Sequence, residues 1–222
     1  MSYTLSKIHP DDRRGMAQVR ALLEQEGISL DGNLDYTCGL FDENDNLAAT
    51  GSSFGATLRC FAVDRAHQGE GLLNQIVSHL VERLTGQGRT HLFVYTKVST
   101  AKFFQDLGFY EIARVENTLS FLENRKNGFA RFCARLSQSR TEEPAAAIVM
   151  NANPFTLGHL ALAERAAAEF PAVHLFVLEE EASLVPFAVR WKLVTEGVAH
   201  LPHVICHKSG PYLISSATFP SY

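Results

Sequence analysis

Apolar positions recur along this chain in two rhythms, and the change from one to the other divides it. Over residues 13–26 they return with helical spacing, so a helix with one apolar face is expected there. Short apolar runs follow at 36–41, 47–54 and 58–63, separated by polar residues. The Asp42-Glu43-Asn44-Asp45-Asn46 cluster between the first two reads as a hairpin turn. A helix over 72–85, a strand over 91–95 and a short helix over 99–107 complete a mixed sheet with helices on its faces. The polar stretch from Ser137 to Pro144 interrupts this pattern and reads as a linker. Beyond it, strands at 145–150, 173–178 and 203–207 alternate with helices at 160–169 and 187–198. Repeated βα units imply a parallel sheet with right-handed crossovers. The expectation is an α/β chain: a mixed-sheet domain over 1–136, a linker over 137–143, and a parallel α/β domain over 144–222.

Composition narrows the function classes. The chain has 222 residues, 46% hydrophobic and 20% charged, enough for one large core or two modest ones. A net charge of −4 and an isoelectric point near 6.1 argue against a nucleic-acid partner. No apolar run approaches membrane-spanning length and the first residues lack a targeting core, so the reading is cytoplasmic with no membrane partner. Cys38, Cys60, Cys133 and Cys206 stand far apart, as suits a reducing compartment, and with nine scattered His residues no protein-bound metal is expected.

The chemistry concentrates at Asn151-Ala152-Asn153-Pro154-Phe155-Thr156-Leu157-Gly158-His159. The run Ala145-Ala146-Ala147-Ile148-Val149-Met150 before it is apolar and uncharged, as a strand buried on both faces would be. Asn153-Pro154 forces an extended turn, and an Ala- and Leu-rich helical pattern follows. A Gly between a strand and a helix lets a phosphate chain approach the backbone, where free N–H groups and the positive end of the helix dipole favour anions. An imidazole at His159 adds a donor for charge developing on an α-phosphate. The simpler role open to these residues is helix capping by His159 and relief of crowding by Gly158.

The Thr156-x-Gly158-His159 element resembles the first signature of the HxGH nucleotidylyltransferase superfamily, with Thr in place of the first His. The longer string from Ile148 to His159 is similar to one member family, citrate lyase ligase. So are the blocks Glu180-Glu181-Ala182-Ser183-Leu184 and Ser209-Gly210-Pro211-Tyr212-Leu213-Ile214-Ser215-Ser216-Ala217-Thr218-Phe219-Pro220-Ser221-Tyr222, with Ser216 where that family usually has Arg. The resemblance implies a Rossmann-like second domain that binds ATP through Asn151, Asn153, Phe155, Thr156, Gly158 and His159, with Thr156 and His159 catalytic and Mg²⁺ arriving with the nucleotide. It further implies the reaction. Acetate attacks the α-phosphate of ATP, pyrophosphate leaves, and a thiol takes the acetyl group from acetyl-AMP. That thiol belongs to a dephospho-CoA-type prosthetic group on the acyl carrier subunit of citrate lyase. The superfamily's later S-x-S/T-x-x-R signature has no match, and residues 144–222 amount to about half of such a domain. The expectation is therefore a C-terminally truncated, partial nucleotidylyltransferase domain, and a 222-residue chain that by itself lacks acetate- and ATP-dependent pyrophosphate release.

In the first domain the string Val63-Asp64-x-x-x-Gln68-Gly69-Glu70-Gly71-Leu72, with Leu107-Gly108-Phe109 downstream, resembles the acyl-CoA-binding signature of GNAT acetyltransferases. It implies a pyrophosphate cradle made by Val63, Gln68, Gly69, Glu70, Gly71 and Leu72 at the start of a helix. The same alignment places Phe104 where many such enzymes carry a Tyr general acid, Lys97 where Asn is usual, and Leu73 at the motif's last small residue. Phenylalanine has no proton to give a leaving thiolate. The domain thus reads as a binding module for a CoA-like group. The alternatives are a GNAT-type N-acyltransferase using acetyl-CoA and a non-catalytic nucleotide- or CoA-binding module. Outside these motifs, Glu179, Glu180 and Glu181 read as a solvated acidic loop, with the ligand crevice as the alternative; Arg190 reads as a helix-surface charge, with a phosphate contact as the alternative; and His200, His203 and His207 read as ordinary core or surface residues.

Overall fold

A computed structural model describes residues 2–141, 144–179 and 184–213. They form two compact units, one ending at Gly128 and the other beginning at Phe129.

The first unit holds β1 (Thr4–Ile8), α1 (Arg13–Gln25), β2 (Tyr36–Phe41), β3 (Leu47–Phe54), β4 (Thr57–Val63), α2 (Leu72–Gly86), β5 (Phe93–Thr96), α3 (Ala101–Asp106), β6 (Tyr110–Val115) and β7 (Leu119–Glu123). The sheet runs β1-β2-β3-β4-β5-β7-β6 and is mixed, as the acyl-CoA-binding resemblance implies. Strands β1 to β4 pair antiparallel, and the Asp42–Asn46 hairpin is held by the Asp42 carboxylate accepting from the Asn44 and Asn46 amides. β4 and β5 are parallel but pair only at Thr57–Phe93 and Leu58–Val94. Beyond those two residues the strands part, and the sheet opens. Asp12 caps α1 by accepting from Gly15 N–H, and the apolar positions Val19, Leu22 and Leu23 are buried. Ile76, Leu80 and Leu84 of α2 pack into the sheet's core with Leu58, Val94 and Phe104.

The second unit holds α4 (Gly128–Ser137, all but its first residue), β8 (Ala145–Met150), α5 (Leu157–Glu169), β9 (Ala172–Val177), α6 (Phe187–Gly197) and β10 (Val204–Lys208), with a parallel sheet in the order β10-β9-β8. Its core joins Ile148 and Met150 of β8, Val173, Leu175 and Val177 of β9, Ala163 of α5 and Val194 of α6.

One expectation is corrected here. β8 is not buried on both faces: Ile148 and Met150 are, but Ala145 and Ala147 are exposed and Val149 is 54% exposed. Among the described residues β8 is an edge strand, and the core packs its even-numbered positions only. Four elements also lay outside the expectation: β1, β6, β7 and α4. β6 is exposed at almost every position, so it carries no alternation to read.

Candidate functional site

The carboxyl ends of the parallel strands gather the residues singled out in the sequence. α5 begins at Leu157, three residues earlier than the periodicity suggests, so Gly158 and His159 stand in its first turn, with Thr156 at the N-cap. Thr156 N–H donates to Nδ1 of His159 over 3.1 Å, and Thr156 Oγ1 lies 2.8 Å from the same nitrogen. This is a capping box with an imidazole in the place of the usual Glu or Gln. An amide can only donate, so Nδ1 is the acceptor and the ring's hydrogen sits on Nε2. Of the two readings of His159 in the sequence, the geometry shows the cap: Nδ1 is engaged, which leaves the ring's hydrogen on Nε2. Phe155 stacks on the imidazole at 5.7 Å between ring centroids and 23° between planes. On its other side Phe155 fills the space where a Cβ at Gly197 would stand, 2.5 Å from the ring. Gly197 thereby seats Phe155.

Gly158 differs from Gly197. It sits in ordinary helical space, and an added Cβ would meet only Thr156 Oγ1, at 3.7 Å. The fold has no use for a glycine there, although glycine weakens a helix by about 0.5–1 kcal/mol relative to alanine. The space in front of it is what a closely approaching phosphate needs. Gly158→Ala should leave folding intact or slightly improved while weakening ATP binding by tenfold or so. Calorimetric titration with MgATP checks this, and equal affinity of the two proteins would make Gly158 a passive residue.

Asn151 and Asn153 spend their side-chain oxygens on the fold. Asn153 Oδ1 accepts from Val185 N–H at 2.8 Å, and Asn151 Oδ1 accepts from the Arg190 guanidinium at 2.9 Å. Arg190 is the second correction: it is fully buried, not a surface charge. Besides Asn151 Oδ1, its NH1 donates to Asn151 O and Leu178 O, both at 2.7 Å, and its Nε to Val185 O at 2.9 Å. One planar guanidinium thus binds the end of β8, the end of β9 and the approach to α6. Only the fold reveals this, because helical spacing alone does not say which face of α6 points inward. Glu179 is also no free loop carboxylate. Its Oε2 accepts from Gly210 N–H at 2.6 Å, and its own N–H donates to the buried Ser209 Oγ at 2.9 Å. Glu180, Glu181 and the 215–218 block lie outside the described residues.

His203 and His207 stand four apart, a spacing that would share a helix face, but here it falls at and within β10. His203 Nε2 is 2.8 Å from Ala167 O, and His207 Nε2 is 2.9 Å from His174 Nδ1. Burial and the neighbouring His174 hold His207 below the usual imidazole range. No cluster of His, Cys, Asp or Glu suited to a metal occurs among the described residues.

In the first unit, the gap between β4 and β5 is a cavity of about 440 Å³. Val63, Gln68, Gly69, Gly71 and Leu72 line it, as do Tyr95, Thr96 and Lys97 of the opposite wall. Gly69 and Gly71 adopt φ of 86° and 76°, the left-handed region where a side chain is strained. Gly71 is the N-cap of α2 and offers the first turn no side chain, so that turn's amides are uncapped at the cavity rim. Glu70 is the exception among the expected cradle residues. Its carboxylate accepts from Tyr3 Oη at 2.7 Å and lies 3.4 Å from His67 Nδ1. Tyr3 is pushed up to about 12, first by that hydrogen bond to Glu70. Phe104 is wholly buried against Phe61, Phe103 and Phe109 and is absent from the cavity wall. Lys97 Nζ donates to the Glu26 carbonyl. Cys60 lines the cavity, but burial pushes its thiol up to about 11, which keeps the nucleophilic thiolate scarce.

Residues 145–222 match the family model of the citrate lyase ligase C-terminal domain. Over 212 residues the chain is 35% identical to the [citrate [pro-3S]-lyase] ligase of Klebsiella pneumoniae, covering 95% of this chain and 62% of the relative. The corresponding ligase of Haemophilus influenzae is 32% identical over 212 residues, covering 95% and 63%. The chain thus spans somewhat under two thirds of the curated relatives it matches. Among solved structures, Escherichia coli ElaA superposes with a TM-score of 0.48 at 14% identity, over 56% of this chain and all of that one. A GNAT-family acetyltransferase of Staphylococcus aureus superposes with a TM-score of 0.47 at 11% identity, over 55% and 98%.

Proposed function

We propose, for a chain whose residues 145–222 belong to the citrate lyase ligase C-terminal domain family and which is related to citrate lyase ligases along 95% of its length, that it serves the ATP-dependent acetylation of a carrier-bound thiol. The observation that carries the reading is the His159 tautomer. With Nδ1 held by the Thr156 amide, Nε2–H is a fixed donor at the mouth of α5, where the backbone already favours an anion. MgATP as substrate fits there on the space before Gly158. Acetate attacks the α-phosphorus through a carboxylate oxygen, the bond to the bridging oxygen breaks, and magnesium pyrophosphate departs. The Nε2–H donor lowers the cost of charge gathering on the α-phosphate in that step. Arg190 does not touch the nucleotide in this reading. It fixes the strand ends from beneath, which keeps Thr156 and His159 in register.

The second step needs the thiol of a phosphopantetheine-type arm, whose sulfur attacks the acetyl carbonyl of acetyl-AMP and expels AMP. The glycine turn and the cavity between β4 and β5 suit the pyrophosphate and the extended arm of such a group, on a prosthetic group of the citrate lyase acyl carrier subunit. The one observation that favours N-acyltransfer instead is the cavity itself. Against it stands Phe104, which is sealed in the core and holds no proton for a leaving thiolate.

Two assays on the 222-residue protein separate these readings. Dephospho-CoA and CoA should bind in calorimetric titration, and Gly71→Val should abolish that binding. No acetyl group should pass from acetyl-CoA to amine acceptors. Robust amine acetylation would reinstate the acyltransferase, and the absence of any binding would reduce the glycines to a turn.

A further inference from the structure

We infer that α4 forms a docking surface for an acidic protein face, that of the carrier whose prosthetic thiol is acetylated. This rests on the reading above for the identity of the partner. Between Gly128 and Thr141 the chain carries Arg131, Arg135 and Arg140 and no carboxylate, in a protein of net charge −4. All three are exposed, and none has an ion-pair partner among the described residues.

The contrast with the other helices is what gives this weight. Lys102–Asp106, Arg165–Glu169 and Lys192–Glu196 each set a cation one turn from a carboxylate. On α4 the same spacing joins Arg131 to Arg135, two like charges whose repulsion the helix must absorb. The helix is also held firmly enough to present them. Phe132 is buried and packs on Tyr212 at 4.9 Å between ring centroids, and the Arg135 guanidinium lies 5.9 Å from the Phe132 ring centre. A cationic face fixed in place, with no ion-pair partner among the described residues, is complementary to an anionic one.

Charge alone fits three polyanions, and the structure favours a protein. The apolar side of α4 is engaged by Tyr212 through Phe132 and Phe129, and Phe129, at 39% exposure, offers a bilayer only a small apolar face. The surrounding excess of carboxylates, 24 against 20 Lys and Arg over the chain, repels a long nucleic acid while leaving a compact acidic patch free to dock.

The test is binding of the 222-residue protein to the citrate lyase acyl carrier subunit bearing its prosthetic group, read as Kd against ionic strength. The wild type should bind with an affinity that falls severalfold from about 50 to 300 mM salt, since exposed charges are screened within a Debye length. Arg131→Glu/Arg135→Glu should weaken Kd by tenfold or more, and the milder Arg131→Gln/Arg135→Gln should give an intermediate loss that guards against misfolding of the reversal. Arg165→Glu, on a helix where the cation is already paired, should change nothing. Unchanged affinity of both α4 variants, with carrier binding intact, would overturn the docking surface and leave the proposed reaction standing. Tighter binding of an RNA oligonucleotide or of phosphatidylserine vesicles than of the carrier would overturn it in favour of those polyanions. Absence of carrier binding in the wild type would overturn the carrier reading itself.

Discussion

Replacing His159 by alanine, in a version carrying a family-like C-terminal segment, should lower acetate-dependent ATP–pyrophosphate exchange by about 10²-fold or more, the scale of one lost donor to transition-state charge. ATP affinity should change far less. The donor matters most where charge accumulates during attack, whereas ground-state binding is shared with the backbone of the first turn of α5. His159→Asn and His159→Gln serve as partial replacements. Asparagine's side-chain oxygen can take over the cap on the Thr156 amide, but its amide cannot reach where Nε2 does, so it should restore folding without restoring rate. If His159→Ala exchanged pyrophosphate as fast as the wild type, the imidazole would be a helix cap and nothing more.

Arg190→Ala should unfold the second unit readily, with a loss of about 3–5 kcal/mol. Four acceptor sites would lose this donor, the buried Leu178 O and the part-buried Val185 O, Asn151 O and Asn151 Oδ1, and a fully buried acceptor left unmade costs about 1–3 kcal/mol, a part-buried one less because water reaches it. The cavity left by the side chain adds to this. Arg190→Lys keeps a charge but not the planar fork that spans both strand ends, so it should recover less than half of the loss. Trp191, the only tryptophan, sits beside Arg190 on α6, so urea unfolding followed by its fluorescence reports this unit. A change of under about 1 kcal/mol would mean that the strand ends hold together without the guanidinium.

The two corrections show where sequence reading stops. The strand β8 and the helix after it were legible because an uncharged apolar run, a Pro-bearing turn and an Ala-rich pattern occur in sequence, each a local signal. Whether β8 is covered on both faces is not local; it depends on how many neighbours the sheet provides. Arg190 was misread for the same reason. A lone Arg in a helical pattern is usually exposed, and only the converging carbonyls of Asn151, Leu178 and Val185, distant in sequence, can bury one. In the first unit the positive-φ glycines at 69 and 71 were readable as a turn with room for phosphate. The turning of Glu70 toward Tyr3 was not, because β1, which follows Tyr3, has too short and too exposed a pattern to be seen. The His159 cap and donor could be named from sequence, but the assignment of Nδ1 to the cap required the Thr156 amide at 3.1 Å.

Acetate-dependent exchange of labelled pyrophosphate into ATP, run with magnesium and without any thiol acceptor on a version carrying a family-like C-terminal segment, is the most direct measurement of this chemistry. It asks only whether residues around the start of α5 activate an α-phosphate toward a carboxylate. Exchange should require both acetate and ATP, be lost in His159→Ala, and proceed without the carrier. ATP that binds at this turn yet exchanges no pyrophosphate at saturating acetate would contradict that expectation.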